Sequence, residues 1–154
     1  EPEEIYLCSL FVNTGEPFLV KLISEIQALA SDFDRMERMV DKYHTEFGGT
    51  LLTSWKFDNV QIQVAAHHHK QTAILKRMME PEMDIVIRNI HIANIAHALA
   101  EEKGFHYFNP KNTPFRNIPD IYESIEHLKI NEEQLDHCLV GVQEFVEETE
   151  SIVS

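Results

Sequence analysis

The stretch from Tyr43 to His69, YHTEFGGTLLTSWKFDNVQIQVAAHHH, constrains the fold more than any other part of the chain. Phe47, Leu51, Leu52 and Trp55 recur at helical spacing, which predicts a helix with one face buried against its neighbours. Gly48 lies inside that series. A mid-helix glycine is about 1 kcal/mol less favourable than alanine, so its presence points to close approach of another backbone or side chain. Asp58 is placed to cap a second helix, which carries Val64 and Ala65 and closes on His67, His68 and His69. Two short helices are therefore expected to meet beside a cluster of imidazoles.

The remaining segments read as further helices, with no strand signal and no internal repeat. Glu3 to Phe11 predicts a helix with Leu7, Leu10 and Phe11 inward, stopping near Asn13, Thr14 and Gly15. Pro17 suits the first turn of the next helix, where Phe18, Leu19, Leu22, Ile23, Ile26 and Leu29 trace a wide buried stripe. Ser31 or Asp32 can cap a third, running to about Asp41 with Met36, Met39 and Val40 on its apolar side. Lys70 to Glu80 is either a short helix or an irregular crossing. Pro81 opens a long amphipathic helix to about Lys103, with Met83, Ile87, Ile90, Ile95 and Leu99 inward and Gly104 as terminator. Phe105 to Pro119 reads as a surface loop, and a helix from about Ile118 to Leu128 follows. Asn131 with Gln134 makes a capping-box pattern for a last helix, whose apolar side holds Leu135, Leu139, Val142, Phe145 and Val146.

At 154 residues and 44% hydrophobic content, the chain suits one domain over residues 1–154 with a real core. Twenty-six acidic against 13 basic residues give a formal charge of -13, which disfavours a nucleic-acid partner. No apolar run approaches the roughly 20 residues of a membrane span, so no membrane partner is expected and a cytoplasmic setting is the default. Cys8 and Cys138 have neither metal-like spacing nor a disulfide framework around them, and are expected to be reduced thiols. The chain opens on Glu1 without an initiator methionine, which suggests a fragment.

His44 leading into a glycine-containing helix, then Trp55, then a helix closing in paired histidines, resembles the HDOD family. These domains are output-type relatives of the HD metal-dependent phosphohydrolases. The family pattern runs roughly H-x-x-x-G-x-x-L-x-x-W-x-L-P and then HH, and the chain supplies His44, Gly48, Leu51 or Leu52, Trp55 and Phe57. Asp58 stands where proline is usual, and His68 with His69 fit the pair, a shift to His67 with His68 being the alternative register. Ser9 to Gly15 resembles the family's G-L-L-H-D-I-G, with Val12 and Asn13 where the name-giving His and Asp would be. Asn94, in RNIHIANIAHALA, stands where catalytic relatives carry their last aspartate, and LKINEEQLDHCL resembles the family's closing pattern. The resemblance covers the later portion of the family and implies an all-α bundle of about seven or eight helices without the N-terminal ones. A face left open by those helices would be covered by an association partner, such as a second copy in a homodimer.

An HD hydrolytic site needs imidazoles to hold a divalent ion and an anionic carboxylate to offset charge and activate water. Val12 has no lone pair, and the carboxamides of Asn13 and Asn94 are weak, uncharged ligands. The resemblance thus implies a degenerate cleft of Val12, Asn13, His44, His68, His69 and Asn94, with no catalytic residue, no metal and no cofactor. The expected role is a catalytically inactive module of bacterial signal transduction, with protein partners. The alternative is a phosphohydrolase using zinc, manganese or magnesium on His44, His68 and His69, and a third reading is a small-ligand sensor. Adjacent histidines on a helix point about 100° apart, which argues against His67, His68 and His69 all facing one ion. His91, His97, His106, His127 and His137 offer no i, i+4 ligand pair and are expected at surface or half-buried positions.

Overall fold

The computed structural model describes residues 2–26, 31–78, 83–101, 121–131, 133–134, 137–138 and 140. Seven helices run through them: α1 Pro2–Phe11, α2 Gly15–Ser24, α3 Phe33–Ser54, α4 Asn59–His67, α5 Thr72–Met78, α6 Asp84–Glu101 and α7 Ile121–Leu128. No strand occurs among the described residues, so the all-α expectation is met.

Local chemistry accounts for several of the boundaries. The Asp32 carboxylate accepts from the Arg35 amide at 3.0 Å and starts α3. This helix does not end near Asp41 as expected. No glycine or proline interrupts Phe33 to Phe47, so its hydrogen-bond ladder continues through Tyr43 to Ser54, making one helix of 22 residues. It stops at Trp55, and Lys56 follows with φ at 62°, a left-handed conformation common where helices end. Asp58 does precede α4 with extended backbone, but its side chain makes no capping bond. The Asn131–Gln134 capping box is fully formed: the Asn131 amide donates to Gln134 Oε1 at 3.0 Å, and the Gln134 amide donates to Asn131 Oδ1 at 2.8 Å.

Helices α1, α4 and α6 pack against one another. Their shared apolar cluster comprises Cys8, Val12, Val64, Val86, Ile87, Ile90 and Ala93, with Leu75 contributed by α5. A second cluster, Leu19, Ile23 and Val40 flanked by Met36, Met39 and Phe47, joins α2 to α3. Because α3 also packs on α4, it connects the two clusters. Glycines make that connection close. A Cβ added at Gly15 would fall on the His44 carbonyl oxygen and lie 2.7 Å from the Gly48 nitrogen. One added at Gly48 would lie 3.2 Å from the Gly15 nitrogen, so the close approach expected at Gly48 is real and its partner is the first turn of α2. On the α4 side, a Cβ at Gly49 would sit 2.9 Å from that of Ala66.

Three stripes are narrower than their periodicity suggests. Leu7 and Leu10 are exposed while Cys8 takes the inward place on α1. Of the stripe along and just after α2 only Leu19 and Ile23 are buried, and Phe18, Leu22 and Ile26 lie open because α3 is the main neighbour of this helix. Trp55 is 44% exposed, since α3 ends there and the ring leaves the buried face. The expected 105–119 loop, Leu29, the Leu99 side chain, and the last-helix residues Leu135, Leu139, Val142, Phe145 and Val146 lie outside the described residues.

Both cysteines are free thiols, Cys8 buried and Cys138 exposed. Burial, aided by the Glu4 carboxylate and opposed by a weak bond from Asn89, pushes the Cys8 thiol up to about 11. That keeps it protonated and inert. Among the described residues, no helix is long and apolar enough to cross a membrane.

Candidate functional site

The imidazole cluster forms where α3 passes the end of α4. His44 is buried near the middle of α3, while α4 ends at His67 and the chain turns through His68 and His69, closed by the Lys70 amide donating to the His67 carbonyl at 2.9 Å. His68 keeps helical backbone angles, φ -62° and ψ -18°, as the cap of α4, and His69 follows it in the turn. Their rings lie 4.1 Å apart, and His44 lies 5.4 Å from His68 and 4.9 Å from His69, centroid to centroid. One ligand nitrogen from each of the three falls within 4.8 Å of the others. His67 stays outside this group, and burial, aided by nearby Lys70, holds it below the usual imidazole range.

Backbone carbonyls set the tautomers. His44 Nδ1 lies 3.0 Å from the Val40 carbonyl and His68 Nδ1 lies 2.9 Å from the Ala65 carbonyl. A carbonyl can only accept, so both rings carry a proton on Nδ1, and in the neutral ring Nε2 is then the lone-pair nitrogen. His44 Nε2 is 2.9 Å from His69 Nε2, which makes His69 the donor of that bond. Asn94, on α6, donates its Nδ2 to the His68 carbonyl at 2.9 Å. A carboxylate could not donate there. Asn94 thus serves as an amide that positions the His68 backbone.

Of the six residues expected to line the cleft, the structure brings three imidazoles together and ties Asn94 to them through the backbone. Val12 is packed in the apolar cluster instead. Asn13 is half-buried in the turn between α1 and α2, its carbonyl accepting from the Glu16 amide at 3.0 Å. Both line a cleft of about 610 Å³ with Leu10, Phe11, Phe18 and Trp55. A second cleft, of about 580 Å³, is bordered by Lys76, Asp84, Arg88 and His127. Neither of these two clefts is lined by His44, His68 or His69.

A second histidine centre was not legible. His91, expected at the surface or half-buried, is only 3% exposed. Its Nε2 lies 3.0 Å from Thr72 Oγ1 and its Nδ1 lies 2.8 Å from Ser124 Oγ, so both ring nitrogens are engaged. His127 stacks on it at 4.4 Å, and the Thr72 amide donates to Glu123 Oε1 at 3.1 Å. Burial, with His127 and Lys76 adding to it and Glu123 opposing, pushes His91 down to about 4. The Ser124–His91 contact looks like a nucleophile and base, but Ser124 is fully buried and no substrate reaches it. It is a polar bridge joining α5, α6 and α7.

Among known families, the HDOD domain model matches residues 1–71, a span that runs from α1 through the triple histidine and leaves Asn94 outside. No curated protein and no solved structure matches the chain. Residues 1–71, with His44, His68 and His69 among them, are thus similar to the HDOD domain family.

Proposed function

We infer that this chain is a regulatory HDOD module that performs no phosphohydrolysis and acts in bacterial, cytoplasmic signalling through contacts with protein partners. The observation that carries the reading is the donor set: the converging group consists of imidazoles alone, without a carboxylate from any described residue. A phosphate ester attacked there would find no anionic base, and neither described cleft opens on the cluster. Two further residues expected at the cleft bring no acid to it: Val12 is packed in the apolar cluster, and the Asn94 amide is engaged with the His68 carbonyl. Support for protein contact comes from the open aromatic surface. Phe18 and Trp55 meet edge to face at 5.5 Å while each stays more than 40% exposed, beside the 610 Å³ cleft.

The rival reading, a metal-dependent phosphohydrolase on His44, His68 and His69, draws on the same convergence and differs in requiring turnover. The test is a hydrolysis panel of phosphomonoesters, nucleoside triphosphates and cyclic dinucleotides with manganese, magnesium or zinc. The expected result is no release of phosphate or linear product above metal-only controls. Metal-dependent turnover that disappears in His69→Gln would establish the enzyme instead.

A further inference from the structure

We propose that the cleft between α5, α6 and α7 binds a small organic phosphate, held by Lys76, Arg88 and His127 with its apolar body against Ile92, Leu128 and Ile130. This goes beyond the regulatory reading by giving the module a ligand, and it does not depend on that reading. Three observations carry it.

The first is charge. The chain as a whole has 26 acidic against 13 basic residues, yet the described walls of this cleft set two permanent cations and an imidazole against one carboxylate, Asp84. Among the described residues neither Lys76 nor Arg88 is held in an ion pair, although Asp84 stands one helical turn before Arg88 on α6. Glu123, one turn before His127, does not line the cleft, and its Oε1 accepts from the Thr72 amide at 3.1 Å. Burial holds the His91 imidazole down, and His127 and Lys76 add to it, so their positive field reaches the interior.

The second is geometry. Lys76 stands in the last turn of α5, Arg88 in the second turn of α6 and His127 in the last turn of α7. Three helices therefore each bring one donor to a single space of about 580 Å³, a size that suits a small molecule. The His127 ring is restrained, because it stacks at 4.4 Å on His91, which Thr72 and Ser124 fix from behind.

The third is donor chemistry. A phosphate monoester presents three terminal oxygens in a tetrahedral array and can accept from guanidinium, ammonium and imidazole N–H together, whereas a carboxylate has two in one plane. Ile92, one turn along from Arg88, is half-buried, as are Leu128 and Ile130, and they give an apolar wall beside the cations. That wall favours an organic substituent over the free ion. The formal charge of -13 repels a polynucleotide, so a small phosphate is the better fit.

The test is a titration of the full chain, read by amide chemical shifts in NMR, with phenyl phosphate, inorganic phosphate, benzoate and phenol as probes. Saturable shifts in α5, α6 and α7 are expected with phenyl phosphate in the millimolar range, with weaker binding of inorganic phosphate and benzoate and none of phenol. Arg88 and Lys76 are exposed, so Arg88→Gln and Lys76→Gln should fold, and each should weaken phenyl phosphate by about 10-fold. Lys21→Gln, which removes an exposed cation on α2, should bind as the parent does. Absence of saturable binding overturns the site, and so does binding that either cleft variant leaves intact or that Lys21→Gln weakens as much. Inorganic phosphate, benzoate or phenol binding as tightly as phenyl phosphate overturns the assignment to an organic phosphate.

Discussion

The molecule contains two histidine centres built to opposite plans. Around His91 every ring nitrogen meets a protein hydroxyl, and the network bridges α5, α6 and α7. Around His44 the ring nitrogens meet one another, with backbone carbonyls holding only the outer edges. The first plan uses imidazole as a neutral polar spacer, fixed by burial. The second brings nitrogens of three rings within 4.8 Å of one another. Depth of burial does not distinguish them, since His44, His68 and His91 are all buried. What distinguishes them is where the second nitrogen of each ring points.

If that contrast is right, removing His91 should do the most damage. His91→Ala leaves a cavity and strips partners from buried Thr72 and Ser124, so a loss of about 3 kcal/mol in unfolding free energy is expected by urea denaturation. A loss below about 1 kcal/mol would mean that the network is not a structural bridge.

Acid should act on the same centre. The fold holds His91 near 4 against an ordinary 6.5, so between those values the unfolded chain binds a proton that the folded chain does not. Stability is then full above about pH 6.5, falls as pH drops toward 4, and levels below, with a ceiling of about 3 kcal/mol from this group. Denaturation at several pH values should show this slope in the parent and a shallower one in His91→Phe. Equal slopes would assign the acid sensitivity elsewhere.

Asn94→Asp probes the join between the plans, since α6 carries both His91 and Asn94. A carboxylate would face the His68 carbonyl it cannot bond, so a loss of about 2 kcal/mol is expected at neutral pH, partly recovered when the new acid is protonated. Full stability in this variant would show that the amide does not position the His68 backbone. The smallest effect belongs to His69→Gln without metal. One partly buried bond is lost, so less than about 1 kcal/mol is expected by urea denaturation.

Much of this was legible in the chain itself, where the chemistry is local. The Asp32 cap, the Asn131–Gln134 box and the close approach at Gly48 all follow from side chains read against a helical template. His44, His68 and His69 could be singled out because they recur in a family pattern. Their convergence could not, because it depends on how α3 packs against the end of α4, with His44 and His69 separated by 25 residues. His91 escaped for a related reason: its partners Thr72 and Ser124 are 19 and 33 residues away, and neither spacing is a helical one. The width of the α2 stripe misled in the other direction. Apolar periodicity reports which face can be buried, whereas Phe18 and Leu22 stay open because α3 covers only part of that face.

The most direct test of the account is phosphate release from phosphomonoesters and nucleoside triphosphates by the full chain with zinc, manganese or magnesium. It predicts rates no higher than metal-only controls. Metal-dependent turnover that disappears in His69→Gln would contradict it.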